Sequence, residues 1–355
     1  MRERRKVAVL FGGRSGEHEV NLRSAASVVE ALAPSHDVSC VLIDRNGGWL
    51  LQDGPAPAPQ GGVPVFLAPS PAEGGRLRRL ADAAELVRPD VVFPVLHGTY
   101  GEDGTVQGLL ELAGVPYVGA GVASSAASMD KELMKALFAR AGLPQVEYAV
   151  LRRRDPAVEA ELPAKLGLPL FVKPVNLGSS VGIRKVKRPE ELPAALAFAF
   201  RFDRKVIVEH GVDARELEVA VLGNDDPEAS VPGEIVPDRE FYDYDSKYDA
   251  ASRTELRIPA PVAPALAEEL RRTAVAAFRA VDCAGCARVD FFVERAGGRV
   301  VLNEINTMPG FTSISMYPKL WAASGVPYPA LLARLVELAL ERHAQRARLS
   351  TDYAG

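Results

Sequence analysis

The chain has 355 residues, of which 48% are hydrophobic and 25% charged, and its net charge is −4. That length allows two or three domains with a large core. The mild acidity argues against a nucleic-acid or membrane-surface partner, no apolar run nears the roughly 20 residues that span a bilayer, and three cysteines make no disulfide framework.

In chain order, the basic start "MRERRKVAVLF" stops at Gly12-Gly13, too short for a signal peptide, and reads as a strand over Lys6–Phe11. A helix over about Asn21–Ala33 and a strand over Val38–Ile43 follow. The Pro/Gly-rich segment Gly54–Gly75 reads as an irregular or hairpin excursion. A helix over about Leu77–Val87, a strand over Val91–Leu96 and a second Gly turn complete a doubly wound, Rossmann-like half in an α/β chain. A boundary falls near Gly119–Ser128. The helix "SMDKELMKALFARAGLP" then opens a second unit, which holds "LFVKPVNLGSSVGI". A third unit starts near Lys205 with the strands "KVIVEH", "LEVAVLG", "ARVDFFV" and "RVVLNEI", and closes with a long helix over about Pro329–Arg348. Cys283 and Cys286 have C-x-x-C spacing without a second pair, so they read as reduced structural thiols of a cytoplasmic protein.

The acidic hairpin "RVDFFVERAGGRVVLNEIN" carries the strongest chemistry. With its turn centred on Gly297, Asp290 faces Glu304 and Arg288 faces Asn306, all four on one face. Opposed carboxylates repel, and a cation removes the penalty. The all-oxygen donor set suits Mg²⁺ and, through it, phosphates. The competing reading is a solvated face. Phe292 and Leu302 share the face in this register and argue that it is partly covered. A turn centred between residues would shift the pairing by one.

Lys173 ends an apolar strand in a chain with 10 lysines among its 42 basic residues. A lysine suits a phosphate as a point charge, and the following "NLGSSVG" adds backbone N–H groups and the hydroxyls of Ser179 and Ser180. This is not the Gly-x-x-x-x-Gly-Lys order of a P-loop. A surface turn with a stray lysine is the alternative. Lys131, in the first turns of a helix, reads alone as a solvated charge. Glu17 and His97 lie in the Gly turns "GGRSGEHEV" and "HGTYGEDG", at the strand ends where doubly wound folds bind ligands; plain turn chemistry is the alternative. Neither turn is G-x-G-x-x-G, so a dinucleotide oxidoreductase is disfavoured. A non-catalytic amino-acid binder would need neither Lys173 nor the acidic hairpin. The segment Pro237–Pro261, with three tyrosines and four aspartates, reads as a lid or a linker, and its aromatic content favours the lid.

Together these segments, with "SMDK", "YDYDSKY" and "NEINTMPGFTSISMYP", resemble the D-alanine–D-alanine ligases of the ATP-grasp superfamily over nearly the whole chain. The resemblance implies a Rossmann-like domain at 1–123, which holds the first D-alanine. A two-lobed ATP-grasp module of α+β type would follow, with lobes at 124–204 and 205–355 and a lid at 237–261. It implies that Lys131, Lys173 and Lys247 contact the ATP phosphates with Ser180, that Glu209 and Val212 form the adenine hinge, and that Glu216 takes the ribose. Asp290, Glu304 and Asn306 would hold two Mg²⁺, with Mn²⁺ able to substitute. Glu17 would bind the first D-alanine ammonium near His97, Arg288 and the Gly310 backbone the oxyanion, and Ser315 and Met316 the second D-alanine. Ser179 and Tyr248 would join Glu17 in the closed state. The implied reaction is ATP-dependent joining of two D-alanines through an acyl phosphate, for peptidoglycan precursor synthesis, in a cytoplasmic homodimer. A D-alanine–D-lactate ligase is the alternative. Asn21 stands where the family commonly has serine, and Met316 where some members have leucine.

Overall fold

The computed structural model describes residues 4–54, 56–237 and 254–350 and shows a mixed α/β chain built on three sheets. Lys247, Tyr248 and most of the expected lid lie outside the described residues.

The first sheet comprises β1 (Lys6–Gly12), β2 (Asp37–Ile43), β3 (Trp49–Leu51), β4 (Val63–Leu67), β5 (Leu77–Arg79), β6 (Glu85–Val87) and β7 (Val91–Pro94), in the order β6-β5-β4-β3-β2-β1-β7. Its parallel strand pairs are those of β1 with β2 and with β7. Six of the seven residues of β1 are buried, as expected of a parallel strand covered on both faces. Helix α1 (His18–Leu32) makes the crossover from β1 to β2. The expected helix over Leu77–Val87 is instead the antiparallel pair β5–β6, turning through Ala83 at φ 58°. The Gly54–Gly75 excursion includes β4, which pairs with both β3 and β5. Four antiparallel strands therefore extend a short parallel core, where a doubly wound half was expected.

After β7 come α2 (Thr105–Leu112), α3 (Val122–Met129) and α4 (Lys131–Arg140). The single helix expected here breaks at Asp130, whose carboxylate accepts from the Glu132 and Leu133 N–H groups and caps α4. The cap places Lys131 at the first helical position, pointing its chain toward the second sheet.

That sheet contains β8 (Tyr148–Leu151), β9 (Leu170–Pro174), β10 (Arg184–Val186) and β11 (Val206–His210), ordered β10-β9-β11-β8. Helices α5 (Pro156–Leu166) and α6 (Leu192–Ala199) pack their leucines under it. Strand β11 was expected to open the third unit. It lies instead in the second sheet, between β9 and β8.

The third sheet joins β12 (Ala214–Gly223), β13 (Glu228–Ala229), β14 (Gly233–Val236), β15 (Glu255–Arg257), β16 (Gly285–Glu294) and β17 (Val300–Asn306). Helix α7 (Pro264–Ala280) covers one face, and α8 (Met316–Ala323) and α9 (Tyr328–Arg346) follow. Leu331, Leu332 and Leu335 of α9 share a core with Phe11 and Phe93 of the first sheet and with Phe311. At about 1.5–3 kcal/mol for each fully buried leucine, α9 fastens the chain's end to its beginning.

Candidate functional site

A cavity of about 680 Å³ opens between the second and third sheets. One wall is cationic. Lys173 on β9 lies diagonally across from Glu209 on β11, because Lys173 pairs with Ile207 two residues away. The Lys173 ammonium pairs with Glu209 Oε2, while Lys135 Nζ, from α4, sits 2.9 Å from Glu209 Oε1. Burial opposes ionisation of Glu209, but Lys135 and then Lys173 outweigh it and hold this carboxyl far below the usual range. Burial also disfavours the Lys173 charge, and Glu209 overcomes that and raises its pKa. Lys131 Nζ donates to the Leu177 carbonyl at 2.7 Å, at the root of the Gly-Ser loop. Its pKa is lowered, by burial first, against the pull of Glu304.

The facing wall is anionic. Asp290 pairs with Glu304 and Arg288 with Asn306, as a turn centred on Gly297 requires. Nearer the turn, however, Phe291 opposes Leu302 and Val293 opposes Val300, the register of a turn centred between residues. A bulge at Asp290/Phe291 absorbs the difference, with Asn303 as the extra residue. The bulge corrects one expectation. Leu302 turns into the core with Phe291, both 1% exposed, while Phe292 stays in the cavity lining with Asp290. Arg288 binds Asp290 through two hydrogen bonds, at 2.7 and 2.6 Å, and Glu218 through an ion pair at 3.0 Å. Burial disfavours the Arg288 charge, yet Asp290 and Glu218 push its pKa well above the usual arginine value. Asn306 Nδ2 donates to Asp290 Oδ2 at 3.1 Å. Among the described residues no three His, Cys, Asp or Glu side chains form a ready-made metal cage. Asp290, Glu304 and Asn306 nevertheless offer an all-oxygen set on one face, which fits a divalent cation, and Arg288 supplies the compensating charge between the carboxylates. The walls meet where Lys131 Nζ comes within 3.9 Å of Glu304 Oε2.

Ser179, Ser180, Val212 and Glu216 also line this cavity. Ser179 and Ser180 both have left-handed backbones, at φ 49° and 59°, a strain found mostly at functional sites. Through this loop the Ser179 hydroxyl donates to Glu17 Oε1, 162 residues away. Glu17 sits at the start of α1 beside Gly98, where any Cβ would come within 2.7 Å of Glu17 Oε2 and where φ is +79°. His97 is 5% exposed and both ring nitrogens are engaged, Nδ1 with the Met308 carbonyl at 2.9 Å and Nε2 with Ser24 Oγ at 3.1 Å. Burial lowers its pKa, against Glu17. Neutral His97 therefore braces the loop that carries Gly98, without facing the large cavity. Asn21 uses both ends of its amide, donating to the Gly12 carbonyl at 2.6 Å and accepting from the His97 N–H at 2.9 Å. It clamps the ends of β1 and β7 together.

Gly310 and Ser315 form a tight corner. A Cβ at Gly310 would meet Ser315 Oγ at 2.7 Å, and that hydroxyl accepts from the Thr312 N–H at 3.1 Å. The Met316 side chain is 6% exposed and packs in the core beside Gly233, so any contact it makes with a ligand falls to its backbone.

Four residues were not singled out from sequence. Lys135, 1% exposed, and Glu218 complete the charged walls. Ser24 holds His97. Glu102 accepts from the Gly98 N–H at 2.6 Å and the Met308 N–H at 3.2 Å, and burial together with Glu17 pushes its carboxyl up to about 8. Period two along β12 from Glu216 could have found Glu218; the motif "HGTYGEDG" contained Glu102.

Comparison with known proteins fits this geometry. The family model described as D-ala D-ala ligase N-terminus matches residues 6–120, and the one described as D-ala D-ala ligase C-terminus matches residues 137–337. The chain is 51% identical to a D-alanine–D-alanine ligase of Heliobacterium modesticaldum, covering 98% of this chain and 97% of that protein. It is 52% identical to one from Deinococcus radiodurans, covering 95% and 99%. Among solved structures, the D-alanine–D-alanine ligase of Coxiella burnetii superposes with a TM-score of 0.87 at 39% identity, over 98% of this chain and 97% of that one. The VanG D-Ala:D-Ser ligase of Enterococcus faecalis superposes with a TM-score of 0.85 at 36% identity, over 95% and 100%.

Proposed function

We propose, for a chain that belongs to the D-alanine–D-alanine ligase family, that it joins two D-alanine molecules at the expense of ATP. The product is D-alanyl-D-alanine, with ADP and phosphate released. The observation that carries this reading is the meeting of a lysine wall with a carboxylate wall, 3.9 Å apart at Lys131 and Glu304. One wall suits phosphates, the other a phosphate-bound cation.

The family resemblance supports the following roles for the site residues. Lys131 and Lys173, with Lys247 from the lid, hold the ATP phosphates, and Ser180 closes over them. Glu209 and Val212 flank the adenine, and Glu216 takes the ribose. Asp290, Glu304 and Asn306 hold Mg²⁺, for which two ions and substitution by Mn²⁺ are our reading. The ions would supply positive charge to the phosphoryl group in transfer. Glu17, beside Ser179, takes the ammonium of the first D-alanine. The carboxylate of that D-alanine attacks the γ-phosphate, ADP leaves, and the amine of a second D-alanine attacks the acyl carbon as phosphate departs. Arg288 and the Gly310 N–H face the developing oxyanion. Ser315 and the Met316 backbone position the second substrate, and His97 holds the Gly98 loop. Tyr248 joins Ser179 when the lid excludes water from the acyl phosphate.

The organisation we propose is a Rossmann-like unit at 1–123 and two ATP-grasp lobes, with the boundary between them moved past His210. The family resemblance supports a cytoplasmic homodimer that feeds peptidoglycan precursor synthesis, with neither nucleic acid nor membrane as a partner. The curated relatives favour the dipeptide over D-alanyl-D-lactate. A coupled ADP-release assay with D-alanine, L-alanine and D-lactate tests the reading. Turnover with D-alanine alone, giving dipeptide, is expected; turnover that needs D-lactate would overturn it.

A further inference from the structure

Lys135 is a charged side chain at 1% exposure, outside the cavity lining, yet it touches the group that holds Lys173. The Glu209 carboxylate is divided between two lysines, Oε1 toward Lys135 and Oε2 toward Lys173. The two lysines differ in access. Lys173 faces the cavity with its side chain 12% exposed, whereas Lys135 is sealed beneath, with its ammonium 5.3 Å from the centre of the Tyr148 ring. A phosphate entering the cavity can reach only Lys173, and must draw it from Glu209. A buried carboxylate left without a cation is strongly unfavourable. With Lys135 in place, Glu209 keeps a partner when Lys173 turns away.

We propose that Lys135 is a positioning residue for nucleotide binding: as the resident counter-ion of Glu209, it frees Lys173 to leave Glu209 for the phosphates of ATP. This rests on the assignment of the cavity to ATP. Lys135 touches no substrate; its effect passes through Glu209. The depressed pKa of Glu209, set against its burial by Lys135 first and Lys173 second, agrees with an ionised carboxylate shared between two cations.

The test is calorimetric titration of the full-length protein with Mg·ADP, beside steady-state kinetics. Lys135→Met should weaken ADP binding about tenfold or more, equivalent to about 1.4 kcal/mol. The KM for D-alanine should stay within about twofold. Lys135→Arg should restore ADP binding, because it restores the charge. The decisive comparison is made without the Glu209 charge. In an E209Q background Lys173 is already released, so adding Lys135→Met should change ADP affinity by less than about threefold. This pair remains informative even if Lys135→Met alone does not fold. Wild-type ADP affinity in Lys135→Met, or an undiminished loss in the E209Q background, would overturn the proposal. A wild-type protein that does not bind Mg·ADP would instead overturn the assignment of the cavity.

Discussion

The two walls of the cavity mirror each other in charge. On the side of the second sheet three lysines, Lys173 of β9 with Lys131 and the more deeply sealed Lys135 of α4, surround one carboxylate, Glu209. On the third sheet three carboxylates, Glu218, Asp290 and Glu304, surround one arginine, Arg288. Neither set is neutral, and each surplus suits a different part of a metal-bound nucleotide triphosphate. The minority charge has a separate job. Glu209 and Arg288 keep like charges together in a protein without ligand, where repulsion at about 4 Å would otherwise cost about 1–4 kcal/mol per pair at effective dielectrics of 80 to 20.

The hardest blow to this symmetry is Glu304→Gln, which removes a charge with little change in volume. Turnover should fall by about 10²–10³-fold or more, with the melting temperature nearly kept, because glutamine matches the shape of Glu304, whose side chain is 29% exposed. Wild-type turnover and Mg²⁺ dependence in this variant would disprove the metal assignment. Next in size is Arg288→Met, which leaves the anionic wall uncompensated. We expect a stability loss of about 3–5 kcal/mol, the usual result of breaking a buried ion pair. Added Mg²⁺ should raise the melting temperature of this variant more than that of the wild type; equal shifts would show that Arg288 and the cation do not share a site.

A smaller effect comes from Glu102, which belongs to neither wall. Its carboxyl is raised to about 8 in the folded protein from an ordinary value of 4.5. The folded state thus binds the extra proton, so its contribution to stability is full below about pH 4.5 and fades as pH rises through 8. Glu102→Gln should flatten the decline in melting temperature over that window. An unchanged pH profile would show that Glu102 is already ionised at neutral pH. Glu209, held well below neutrality, and Arg288 and Lys173, held above it, should contribute no slope there.

The anionic wall was more legible in the sequence than the cationic one, for a reason of geometry. A hairpin with a period of two and a Gly turn fixes which residues face each other, so Asp290 and Glu304 could be paired by counting. The count succeeded at the site although the turn is centred between residues, because the bulge at Asp290/Phe291 restores the register; no sequence signal marks that bulge. Lys135 had no such guide. Four residues after Lys131 on a helix, it looks like a solvated charge, and only the packing of α4 against the β-strand carrying Glu209 buries it. The stretch from Leu77 to Val87 failed for a related reason. Its alanines and leucines favour a helix, but pairing with β4 decides. The Asp130 cap was missed although Asp-Lys-Glu is good N-cap chemistry, because the apolar pattern runs on through it.

Oxygen transfer tests the central claim most directly. D-Alanine labelled with ¹⁸O in its carboxylate is turned over with unlabelled ATP, and the released phosphate is weighed by mass spectrometry. If the carboxylate attacks the γ-phosphate between these walls, and an amine then displaces phosphate at carbon, each phosphate carries one ¹⁸O and the nucleotide product is ADP. Unlabelled phosphate, or AMP with pyrophosphate, would contradict the account.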